Sequence, residues 1–99
     1  MRLTEQQRHL LLESVQQVLG SDVTTKLFGS RVDDQAKGGD IDLYISSSKP
    51  IAQPAYCIAM MQTKMMRVLG GRKVDILLDA PNLEKQAIHR IAEQQGVLL

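Results

Sequence analysis

The sequence predicts a single α+β domain, a small mixed β-sheet with helices packed mainly on one face, which leaves the other, aspartate-bearing face open. Three observations carry this expectation. Helix-like and strand-like periods succeed one another in the order α-β-(α)-β-α-β-α. Two of the strand segments alternate apolar with acidic residues, so each has one face for a core and one polar face. The chain has 99 residues, which is enough for one hydrophobic core and not for two, so residues 1–99 form one unit.

Thr4 with Gln7 matches the reciprocal cap that opens a helix, and Gly20 suits its end. Between them Leu11, Leu12, Val15, Val18 and Leu19 recur on one helical side, and a glutamine-rich side is left for water. VTTKLF (23–28) is rich in strand formers and runs straight into Gly29-Ser30. A short helical turn or loop is expected across RVDDQAKGG. DIDLYI (40–45) alternates strictly, with Asp40, Asp42 and Tyr44 on one face and Ile41, Leu43 and Ile45 on the other. SSSKP ends that strand as a loop.

A second long helix is expected from near Pro54, a residue suited to a first turn, to Gly70-Gly71. Met61 and Met65 join Ile58, Val68 and Leu69 on one side of it, and Met60 and Met66 flank that side. These methionines suit either irregular core filling or an adaptable apolar surface for a partner. RKVDILLD (72–79) reads as another strand, with Val74, Ile76 and Leu78 on one face and Lys73, Asp75 and Leu77 on the other. The last helix is expected from about Pro81 to Gln95, stopped by Gly96, with VLL as a short edge strand or a frayed end.

A formal net charge of +1 provides no global basic field for nucleic acid. Phe28, Tyr44 and Tyr56 are too few for a base-stacking platform, so stable nucleic-acid binding is not expected. The one cysteine, Cys57, cannot close an internal disulfide and reads as a small hydrophobe in a helix. The opening residues are amphipathic rather than uniformly apolar, so neither a signal peptide nor a membrane span is expected. A reducing cytoplasm is the natural setting. His9 and His89 have no Cys or His at ligand spacing, which argues against zinc.

The aspartates of the second strand need an explanation, because Asp is a poor strand former and costly to bury unpaired. Residues two apart on a strand lie ~6.8 Å apart and point the same way. Asp40 and Asp42 can therefore converge on ions between them, and Asp75 joins them if its strand pairs alongside. Divalent metal offsets the mutual repulsion, and oxygen donors of this kind suit Mg²⁺ or Mn²⁺. Gly29 lets a ligand approach the backbone and Ser30 adds a hydroxyl, while Arg31 suits either phosphate or a local role, capping carbonyls or pairing with Asp33. A phosphate corner beside three carboxylates points to nucleotide phosphoryl chemistry.

Gly29-Ser30, then Asp40-x-Asp42, then Asp75 on a later strand resembles the nucleotidyltransferase superfamily that includes DNA polymerase β. The short length and the wording GSR…GDIDL are similar to its minimal bacterial branch, the MNT proteins. The resemblance implies a polymerase β-like fold and an Mg²⁺-dependent transfer of a nucleoside monophosphate from ATP or another NTP. It implies two metal ions held by Asp40, Asp42 and Asp75, with Gly29, Ser30 and Arg31 on the phosphates. It also implies a HEPN-domain toxin as partner, modified on a hydroxyl such as a tyrosine, with this chain as antitoxin. Many members continue Gly-Ser-Arg with a small residue, a second Arg and a Gly, whereas Val32, Asp33 and Asp34 follow here. The alternative is an antitoxin that neutralises its toxin by binding alone, with a vestigial nucleotide site.

Overall fold

The computed structural model of the chain describes residues 3–28 and 41–99. Helix α1 spans Glu5–Leu19, and its start is closed by the expected reciprocal pair. Thr4 Oγ1 accepts from the Gln7 N–H at 3.0 Å, and the Thr4 N–H donates to Gln7 Oε1 at 3.1 Å. Gly20 ends it at φ 83°, a left-handed angle that a side chain would strain.

Strands β1 (Val23–Phe28), β2 (Ile41–Ser47), β3 (Val74–Asp79) and β4 (Val97–Leu98) form one sheet in the order β3-β2-β1-β4. β1 runs antiparallel to β2 and β4, whereas β2 and β3 are parallel. A parallel pair needs a crossover, and helix α2 (Pro54–Val68) supplies it. Among the described residues, the mixed sheet and three helices make this an α+β fold.

Leu27, Leu43 and Ile45 point from the sheet into one core with Leu11 and Val15 of α1 and with Met61 and Met65 of α2, all essentially without solvent contact. Burying each such side chain stabilises by about 1.5–3 kcal/mol before the chain's ordering entropy is subtracted. The two inner methionines of α2 are thus core, and Met60 and Met66 reach solvent. Cys57 packs half-buried against the same cluster.

Two features depart from the expectation. Helix α3 spans Ala87–Gln95, so the chain from Pro81 to Gln86 is not helical. Asn82 explains the delay. Its Oδ1 accepts from the Ile51 N–H at 2.9 Å and its Nδ2 donates to the Ile51 carbonyl at 2.7 Å. A side chain so engaged holds its backbone against the loop before α2, and the helix starts only where Gln86 can cap it.

The second departure is the placement of α3. The core cluster of α1 and α2 contains no α3 residue. The buried His89 of α3 instead meets the Tyr44 ring edge-on at 6.4 Å, and Lys26 donates to the Glu93 carbonyl at 2.8 Å. Tyr44 and Lys26 lie on the aspartate face, so α3 covers one end of the face that was expected to stand open.

β3 is an edge strand. Its odd-numbered residues bond to β2, beginning with the Ile41 N–H to the Lys73 carbonyl, so the backbone groups of Val74, Ile76 and Leu78 point outward. Gln62 Nε2 donates to the Val74 carbonyl at 2.9 Å, and His89 Nε2 lies 3.1 Å from that of Leu78.

Candidate functional site

Alternation along β2 puts Asp42, Tyr44 and Ser46 on the face opposite the core. On β3 the same face carries Asp75, Leu77 and Asp79. The parallel register sets Asp42 directly beside Asp75, with Phe28 of β1 on the other side of Asp42. Neighbouring strands lie ~4.8 Å apart, so two carboxylates are brought together from residues 33 apart in sequence (75 minus 42).

Both aspartates are half-buried. Lys73 Nζ stands 3.7 Å from Asp75 Oδ1, an exposed contact worth at most about 1 kcal/mol. Two like charges at facing positions of a sheet destabilise it unless something bridges them. The donor set, two hard oxygen acids side by side, fits a divalent ion such as Mg²⁺ or Mn²⁺.

Asp40, Gly29, Ser30 and Arg31 lie outside the described residues. In sequence, Gly29 follows Phe28 at the end of β1 and Asp40 precedes Ile41 at the start of β2. Of the expected set, the structure therefore brings together Asp42 and Asp75. Among the described residues no group of three or more His, Cys, Asp and Glu stands close enough to hold a metal ion.

Sequence reasoning missed a second polar group on the same face. Tyr44 Oη donates to Asp79 Oδ2 at 2.6 Å, and Lys85 Nζ reaches the same carboxylate at 3.5 Å. Lys85 also bonds Glu93 at 3.4 Å, which holds its ammonium above the ordinary lysine value, with Asp79 helping. Burial first, and then the Asp79 hydrogen bond and charge, push the Tyr44 phenol up to about 12.

His89 is almost fully buried above this group. Its Nδ1 accepts from the Gln86 N–H at 3.0 Å, so Nε2 carries the proton and donates to the Leu78 carbonyl. One imidazole thus caps α3 and ties it to the edge of β3. The signal for this group was present in the alternation of DILLD, which sends Asp75 and Asp79 the same way, toward the face of Tyr44. What hid it was the expectation that the face lay open.

Comparison with known proteins adds no assignment: no family model matches the chain, and no curated protein matches it significantly.

Proposed function

We propose that this chain is a minimal nucleotidyltransferase that moves AMP from ATP to a hydroxyl of a HEPN-type toxin and thereby acts as its antitoxin. The observation that supports this best is the side-by-side register of Asp42 and Asp75 on one face of the sheet. The sequence adds Asp40 two residues before Asp42 and the Gly29-Ser30-Arg31 segment directly after β1. Few structural needs call for two facing strand carboxylates, whereas metal-assisted phosphoryl transfer does.

In this reading Asp40, Asp42 and Asp75 hold Mg²⁺, which when bound supplies charge neutralisation for the triphosphate. Gly29, Ser30 and Arg31 bind the terminal phosphates and orient them. The acceptor oxygen attacks the α-phosphorus in line, the bond to pyrophosphate breaks, and Asp75 takes the acceptor's proton. A tyrosine acceptor suits this chemistry because its phenol, with a pKa of about 10, ionises more easily than an aliphatic alcohol.

Intact-mass analysis of a HEPN-domain partner tests the proposal. Co-expressed with the wild-type chain, the partner should gain the mass of one adenylyl group, that is AMP less one water; with Asp40→Asn/Asp42→Asn it should not. A partner that stays unmodified yet is neutralised equally by both versions would sink the enzymatic reading and leave inhibition by binding alone.

A further inference from the structure

Charge is distributed unevenly along this chain. Between Asp42 and Asp75 there is not one carboxylate, yet Lys49, Lys64, Arg67, Arg72 and Lys73 all fall in that stretch. It contains the whole of α2. Met61 and Met65 turn one side of that helix into the core, and the opposite side carries Tyr56, Met60, Met66 and Arg67.

Tyr56, Met60 and Met66 are 60%, 37% and 41% exposed, a large share for apolar side chains on one helix of a small protein. Near its C-terminal end the helix opens into a groove lined by Ala59, Gln62, Met66, Arg67, Gly70 and Gly71. Gly70 and Gly71 have φ of 69° and 90°, and nothing stands over either within reach of a Cβ. The groove therefore has a bare backbone wall, a methionine and an arginine.

Lys64, Arg67 and Arg72 make no ion pair among the described residues. Glu13 of α1 lines the same cleft as Lys64 and Arg67, but it accepts from Gln17 at 3.3 Å and stands 3.6 Å from His9 Nε2. Unpaired cations around adaptable apolar side chains complement a surface that is apolar and acidic. Nucleic acid is the poorer fit, because Tyr56 is the one aromatic on this face and the groove floor is apolar.

We propose that the outer face of α2, with its terminal groove at Gly70-Gly71, docks an acidic segment of another protein carrying apolar side chains. Leucine-sized residues of that segment rest on Met60, Met66 and the glycine wall. Its carboxylates meet Arg67, Arg72 and Lys64. This role stands independently of the nucleotide chemistry, since the face lies on the other side of the sheet from Asp42 and Asp75.

The test titrates the ¹⁵N-labelled full chain with a synthetic peptide of alternating glutamate and leucine pairs. The same peptide with glutamine for glutamate and a short single-stranded RNA serve as comparisons. Amide shifts should concentrate at Met60, Met66, Arg67, Gly70 and Gly71, and the glutamine peptide should bind far more weakly. Arg67→Glu/Arg72→Glu should weaken binding about tenfold or more at low salt. Met66→Ser should weaken it at any salt, and Arg90→Glu, an exposed reversal on α3, should leave it intact. Circular dichroism confirms that each variant is folded. The proposal is overturned by absent shifts, by shifts that map elsewhere, or by equal losses in Arg90→Glu. Tighter binding of the RNA at this face would overturn it too.

Discussion

Replacing Tyr44 with Phe removes one oxygen from the most enclosed polar contact of the aspartate face. The phenol is 2% exposed and donates to Asp79 at 2.6 Å, a short bond to a charged acceptor. Hydrogen bonds to charged groups contribute about 1.5–3 kcal/mol, and here the carboxylate left behind keeps Lys85 at 3.5 Å as partial compensation. Tyr44→Phe should therefore cost about 1.5–3 kcal/mol at neutral pH, read from urea unfolding with an unchanged slope. The pH dependence supplies a second, sharper check. The phenol ionises near 10 in the unfolded chain and at about 12 in the folded one. Between those values the unfolded state has released a proton that the folded state retains, so wild-type stability falls as pH rises. Below pH 10 Tyr44 contributes no slope. By pH 11 the wild type should have lost about 1.4 kcal/mol that the phenylalanine variant does not lose, and the gap between them should narrow by that amount. A loss under about 0.5 kcal/mol at pH 7, or a gap that stays constant from pH 9 to pH 11, would refute the account of this contact.

Asp42→Asn removes one of two facing carboxylates, so the rise in melting temperature with MgATP expected of the wild type should vanish in the variant; a folded variant that still responds to MgATP as the wild type does would count against the site. Asn82→Ala severs both bonds to the Ile51 backbone and should cost about 1–3 kcal/mol, measured by urea unfolding; a change within 0.5 kcal/mol would mean that the strap contributes little. Gly96→Ala should destabilise by about 1–3 kcal/mol although its φ of −71° is ordinary, because a Cβ would stand 2.5 Å from the Ala92 carbonyl oxygen and 2.9 Å from Lys26 Cβ; an unchanged melting temperature would show that β4 and α3 shift apart freely.

What was legible in the sequence follows from the range of the forces involved. β1 and α1 lie where their propensities and caps put them, because Thr4, Gln7 and Gly20 act over three or four residues. The shared face of Asp42 and Asp75 follows from the two-residue period of strands, and the parallel register completes it. The start of α3 was not legible. It depends on Asn82 finding the backbone of Ile51, 31 residues away, and on a histidine ring at the third helical position standing in for the usual glutamate. Local patterns from Pro81 onward favour helix, and only the folded chain supplies the competing partner. The Tyr44–Asp79 contact was hidden for the same reason: alternation aims both side chains correctly, but only the placement of α3 turns a wet surface into an enclosed one.

The two side chains that close the edge of β3 bear on how the protein behaves when crowded. An edge strand carrying Val74, Ile76, Leu77 and Leu78 is a template on which another chain can polymerise, provided it finds consecutive free carbonyls and amides. Gln62 and His89 occupy the outward carbonyls of Val74 and Leu78, four residues and ~13 Å apart, and among the described residues only Ile76 between them offers both groups. An arriving strand could register a single pair before meeting an occupied acceptor on either side. Each plug is rooted in a different helix, α2 or α3, so the edge opens for growth only when one of those helices gives up its side chain. The safeguard against fibre formation is thus spread over two separately packed elements, and partial loosening of either one would leave half of the lock in place.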